Sequence, residues 1–106
     1  MSQPPEPPPV LWEPYQRPPR DRIRITETSC CGAYEWAAQG GHFLILRPAQ
    51  ELGRYEETAR GLYRRAREVW AELLIFHNLQ HRHEEAVRAA ARRERRLRGR
   101  RGEEAA

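Results

Sequence analysis

One stretch of the chain restricts the fold more than any other. Leu52, Tyr55, Ala59, Leu62, Ala66, Val69, Leu73 and Phe76 recur at alternating spacings of three and four, with Tyr63, Trp70 and Leu74 alongside. This is the pattern of a helix with one apolar face, and it predicts a long amphipathic helix over about residues 54–78. Gly53 with Glu56 three positions later suits a weak capping box at its start, and Gly61 inside it costs about 1 kcal/mol relative to Ala. Glu56, Arg60, Arg64 and Glu68 make a mixed-sign row on the opposite face that solvates without a ligand. Beyond Phe76 the stripe positions become Gln80, His83, Val87, Ala90, Glu94 and Leu97, so the apolar face fades while helix formers persist. The chain there either stays helical without a core beneath it, as a basic helix over about 84–98, or breaks near Asn78 and resumes at Glu84.

Upstream the period changes to two. In RIRITET, Ile23 and Ile25 share one face while Arg22, Arg24 and Thr26 share the other, which predicts a strand over about 22–28. HFLIL predicts a strand over about 42–47, and the preceding QGG suits a tight reversal that needs positive φ. Between them AYEWAA alternates Tyr34, Glu35 and Trp36 and is read as a strand over about 33–38, although one helical turn ended by Gly40 fits the same residues. The expected class is α+β: two or three antiparallel strands packed on the helix. HFLIL is apolar on both faces, so a single helix cannot cover it. The Trp12 segment or a second copy of the chain must cover the other face.

Eight of the first nineteen residues are Pro, which denies residues 1–20 helix bonds, sheet ladders and a packed core. They are expected to form an extended or disordered arm ahead of a module over 21–80 and an Arg-rich extension over 81–106. Pro4 and Pro7, or Pro5 and Pro8, give the PxxP spacing of a polyproline ligand; a solvated leader is the plainer reading. Trp12 and Tyr15 gain nothing in water, so one or both are expected to lie back on the domain.

With 106 residues the chain suits one small domain. No segment has the roughly 18 apolar residues of a membrane span, and the start lacks a signal-peptide pattern, so a cytoplasmic protein without a membrane role is expected. All nineteen basic residues are Arg, the usage of a very GC-rich genome. Residues 1–50 carry five Arg against five acids, 51–87 six against seven, and 88–106 eight against three, so the net charge of +4 sits almost wholly at the end. There Arg92, Arg93, Arg95, Arg96, Arg98, Arg100 and Arg101 crowd guanidinium groups that bind phosphates bidentately and release counterions. Nucleic acid is the partner this run favours, and a merely solvated basic tail is the alternative.

Cys30 and Cys31 are neighbours, so they cannot staple distant segments and are expected as reduced thiols in a turn, one facing in as a small hydrophobe. A cysteine nucleophile paired with His42 or His77 lacks any family signature, and no catalytic residue is assigned. His77 and His81 share a helix face at i and i+4, but adjacent cysteines point to opposite sides of an extended chain. The expectation is therefore no metal and no cofactor, with a His-based metal sensor kept as a third hypothesis and the histidines read as a polar cap on the stripe.

ITETSCCGAYEWAAQGGHFLILR followed by GRYEETARGLYRRAREVWAELL resembles small actinobacterial proteins of the Streptomyces type, some encoded on plasmids and other mobile elements. The similarity spans residues 22–77 and carries no catalytic or binding motif, so it implies a host type and mobile-element biology without a mechanism. Some 60 ordered residues bury little core, and Val69, Trp70, Leu73 and Phe76 are the surface expected to pair with a second copy or a protein partner. The expected function is a non-enzymatic accessory protein that contacts nucleic acid through its Arg-rich extension, with a protein-interaction adaptor as the alternative.

Overall fold

A strand that is apolar on both faces belongs in the middle of a sheet, with a strand on each edge and cover above and below. The computed structural model, which describes residues 3–17, 20 and 22–105 and side-chain surroundings as far as Arg101, places HFLIL in that position. In chain order the elements are β1 (Glu13–Pro14), β2 (Arg24–Thr28), a 3-10 turn (Cys30–Gly32), β3 (Glu35–Gln39), β4 (His42–Pro48), β5 (Tyr55–Gly61) and α1 (Tyr63–Ala105). The sheet is antiparallel throughout, in the order β1-β5-β4-β3-β2, and α1 lies on one face. The fold class is α+β, with five strands in place of the expected two or three.

The extra central strand corrects the helix boundary. Residues 55–61, expected in the first turns of a helix over 54–78, form β5, and α1 begins at Tyr63. Tyr55, Ala59 and Leu62 matched the helical spacing by coincidence, whereas β4 needed a partner on its free edge and YEETARG was the segment near enough to supply it. Gly53 (φ 80) therefore lies in the turn between β4 and β5 rather than in a cap, and Gly61 ends a strand rather than interrupting a helix. The true helix does not break near Asn78; it runs 43 residues without interruption. The expected strand over 33–38 is β3, and the paired glycines after it, Gly40 (φ 57) and Gly41 (φ 79), make its tight turn to β4 in the left-handed conformations that glycine adopts freely.

On the helix side, Ile45 and Trp36 sit side by side across β3 and β4 and pack with Tyr34, Ala66, Val69, Trp70 and Leu73. Trp36 is the centre of an aromatic group, stacked on Phe43 at 5.4 Å and met edge-on by Tyr63 at 5.8 Å and Trp70 at 5.9 Å. Val69, Trp70, Leu73 and Phe76, expected at an interface between copies, are 4%, 3%, 1% and 9% exposed, so they belong to the protomer's own core and present no surface to a partner. The reason is the late helix start: with β5 added, the sheet is wide enough to use that whole stripe. Leu52 and Leu62, expected in the stripe, are exposed instead.

The amino-terminal segment covers both faces. Trp12 packs on the helix side, stacked on Tyr34 at 5.9 Å with the Arg47 guanidinium 4.1 Å over its ring. β1 then pairs with β5, Thr58 Oγ1 donates to the Leu11 carbonyl at 2.7 Å, and the chain passes to the opposite sheet edge to begin β2. At the two ends of that crossing, Tyr15 and Ile23 pack on Ala37, Leu44 and Leu46, the second face of the sheet. Gln39 holds the crossing by donating to the Tyr15 hydroxyl at 3.1 Å.

A bulge in β2 sets the last tie. The register slips between Ile25, opposite Ala37, and Glu27, opposite Trp36, which turns Glu27 to the helix side. There it takes two hydrogen bonds from Arg67 of α1, one of them from Nη2 at 3.0 Å, while Arg67 lies 5.0 Å from the Trp36 ring. The guanidinium holds the Glu27 carboxyl below its ordinary value of 4.5.

Two measurements check these ties. Trp12→Ala is expected to lower stability by about 2 kcal/mol in urea unfolding, because it removes an aromatic stack and a cation–π contact together. Because the folded Glu27 value is depressed, its contribution is present above the ordinary carboxylate range and fades as pH falls through the folded value. Glu27→Gln should therefore cost less than about 1 kcal/mol at pH 7, both partners being partly solvated, and the gap to the parent should close in acid.

Candidate functional site

The turn between β2 and β3 is built by Ser29. Its N–H donates to the Tyr34 carbonyl at 2.8 Å, its side-chain oxygen accepts from the Tyr34 N–H at 2.9 Å, and its carbonyl accepts from Gly32 N–H at 3.1 Å. Those three bonds close Cys30–Gly32 into one 3-10 turn, with Cys31 in the left-handed region at φ 64 and ψ 6. The expectation that adjacent cysteines diverge applies to an extended chain, and this turn removes its premise. Both cysteines are exposed, so neither is buried as a small hydrophobe, and both are free thiols.

Opposite the turn, α1 presents His77 and His81 one helical turn apart. Tyr34 fixes His77 from below, meeting its ring edge-on at 5.9 Å while Trp12 supports Tyr34 from the far side. His77 is buried and His81 half-buried. The ligand atoms of Cys30, Cys31, His77 and His81 all lie within 4.8 Å of one another. Within that group His81 Nε2 is 3.0 Å from His77 Nε2 and 3.6 Å from Cys31 Sγ, and His77 Nε2 is 3.0 Å from the Cys30 carbonyl. Glu84 stands 3.9 Å from His81 Nδ1, on the ring nitrogen that faces away from the cluster.

The Cys30 thiol does not resemble an activated nucleophile. Desolvation, and secondarily the neighbouring Cys31 thiol, hold the Cys30 thiol above its ordinary value, the opposite of the depression that thiolate attack requires. His42, the other base considered from the sequence, starts β4 as an exposed residue outside the cluster. What the four side chains can do is donate to a cation: two sulfurs and two imidazole nitrogens are the donor set of tetrahedral metal sites.

The arginines of the sequence-based site lie elsewhere. Arg92, Arg93, Arg95, Arg96, Arg98, Arg100 and Arg101 all fall in the exposed distal part of α1, beyond the sheet and beyond the cysteine–histidine cluster. Their helical spacing distributes them around the helix rather than along one stripe. Arg98 pairs with Glu94 at 2.7 Å, while Arg92, Arg93, Arg95 and Arg96 have no carboxylate within salt-bridge distance among the described residues. Among the described residues no helix is long and apolar enough to cross a membrane.

No family model, curated protein or solved structure matches the chain. The i, i+4 spacing brings His77 and His81 together, but no spacing in the sequence brings the cysteine pair to them. The signal that joins them is SCCGA, whose serine and glycine mark a turn instead of a strand.

Ser29→Ala tests the turn. It leaves the buried Tyr34 N–H without its side-chain acceptor, and a loss of about 1 kcal/mol in chemical denaturation is expected. No effect would mean that the turn is held by its backbone bonds alone.

Proposed function

We propose that the protein is a non-enzymatic accessory module that binds nucleic acid, with duplex DNA favoured, through the arginine-rich distal half of α1. The observation that carries this reading is the form of that helix. It continues as a single rod about 65 Å long at 1.5 Å per residue, in a molecule whose longest dimension is 71 Å. Every residue from Ala90 to Arg101 is exposed, and seven of those twelve are Arg. A positively charged helix, about 10–12 Å across with its side chains, matches the major groove of B-form DNA, roughly 12 Å wide, whereas the deep major groove of an RNA duplex is too narrow for it. Guanidinium groups on all sides reach phosphates on both groove walls without choosing a sequence, so non-specific, salt-sensitive binding is the expected behaviour.

The adaptor reading draws less support, because the apolar helix face it relied on is occupied by the sheet. We further propose an accessory role beside a regulator or a DNA-transfer machine of the plasmid or mobile-element kind.

The test is a salt series on duplex DNA and duplex RNA. Intact protein should bind DNA with an affinity that falls with salt at a log–log slope of about −4 to −6, as four to seven phosphate contacts require. Replacing Arg92, Arg93, Arg95 and Arg96 by Gln, a good helix former, should keep the helix in circular dichroism and flatten the slope by about 3 to 4. Equal binding by the substituted protein, or no binding by the parent at low ionic strength, overturns the proposal.

A further inference from the structure

We propose that Cys30, Cys31, His77 and His81 form a Cys2His2 site for one zinc-class divalent cation, and that the ion fastens the β2–β3 turn to α1. The inference does not rest on nucleic-acid contact.

The distances carry it first. For zinc, with bonds of about 2.3 Å to sulfur and 2.0–2.1 Å to nitrogen, the edges of a tetrahedron are about 3.3 Å between nitrogens, 3.6 Å from nitrogen to sulfur and 3.8 Å between sulfurs. The observed His81 Nε2 to Cys31 Sγ distance is 3.6 Å, the nitrogen pair is 3.0 Å apart, and all four donors fall within 4.8 Å. The remaining pairs are bounded by 4.8 Å, so none has to close by more than about 1.2 Å to reach a tetrahedral edge.

The hydrogen-bond bookkeeping carries it second. An imidazole nitrogen has one in-plane site, holding either a proton or a lone pair. His77 Nε2 faces the Cys30 carbonyl and His81 Nε2, both at 3.0 Å, and His81 Nε2 also faces Cys31 Sγ. With His77 Nε2–H donating to the Cys30 carbonyl and the Cys31 thiol donating to His81 Nε2, the 3.0 Å approach of the two ring nitrogens is left with no proton well placed between them. A cation at the centre takes both nitrogen lone pairs at once and converts the crowding into coordination, with the thiols bound as thiolates and their two protons released to solvent.

The supports outside the donor set fit the same role. Tyr34 and Trp12 fix the His77 ring, and Glu84 stands beside the free nitrogen of His81, the position from which carboxylates orient metal-bound histidines. Four protein donors leave no open coordination position, so the ion is structural and the site carries no hydrolytic chemistry. Its place is the point where α1 leaves the sheet: among the described residues His77 is the last buried one of the helix.

The experiment uses the full chain, reduced, freed of metal by chelation and then titrated with Co2+. One equivalent is expected to give the intense visible bands of tetrahedral cobalt together with near-ultraviolet thiolate-to-cobalt charge transfer, both abolished by one equivalent of Zn2+. Zn2+ should also raise the melting temperature. Cys31→Ser and His81→Ala, at positions that bear little of the core, should each weaken binding by more than about 100-fold, since even outer partners of metal ligands cost 10–100-fold. His42→Ala should bind as the parent does. Urea midpoints of the metal-free variants that match the metal-free parent separate ligand loss from unfolding. Absence of the tetrahedral spectrum in the parent overturns the proposal, as does cobalt binding by Cys31→Ser and His81→Ala at parental strength.

Discussion

The structure depends on how β4 is enclosed. Phe43 and Ile45 point to one side and Leu44 and Leu46 to the other, so the strand loses its burial unless both edges are paired and both faces covered. Each requirement recruits a different part of the chain. β3 and β5 close the edges, α1 closes one face, and Tyr15 and Ile23 close the other. The arm earns its order in this way despite its proline content: proline cannot join a ladder from the middle of a sheet, but it tolerates an edge, and β1 is a two-residue edge strand.

The same enclosure explains what was legible in the sequence. The doubly apolar run, the paired glycines at residues 40 and 41, and the stripe from Ala66 to Phe76 each carry a local signal that tertiary packing reinforces. The segment at 55–61 carries two signals, because its apolar residues fit a helical face while its role as the missing edge partner of β4 makes it a strand. A local period cannot decide between them; the need of β4 for a second neighbour can. Ala59 records the cost, since at φ 58 it takes a left-handed conformation at a bulge, an unusual state for a residue with a side chain.

The cysteine–histidine cluster was half legible. Two histidines at i and i+4 always share a helix face, so that half follows from spacing. The other half depends on two backbone angles at Cys31 and on the three hydrogen bonds that Ser29 organises, and neither is encoded in the separation of the cysteines. The convergence is also long-range. It requires the β2–β3 turn and the second and third helical turns after Trp70 to meet across the sheet edge, which follows only once β5 has shifted the start of α1.

The cluster and the arginine run then bear on one another through the energetics of an unsupported helix. A free segment of about twenty residues with so many like charges would be a marginal helix, because nucleation is costly and arginines one turn apart repel. Growing from a helix already held by Val69, Trp70 and Leu73 removes the nucleation step, and the pairs Glu84–Arg88 and Glu94–Arg98 offset part of the repulsion. Helix propagates outward from packed turns, so the helicity of the arginine run depends on how firmly the last packed turn is fixed. His77 and His81 are that turn. An ion bound there would stiffen the base of the rod, and a polyanion along its length would neutralise the charge that opposes it, so the two proposed ligands, touching separate residues, would stabilise the same helix.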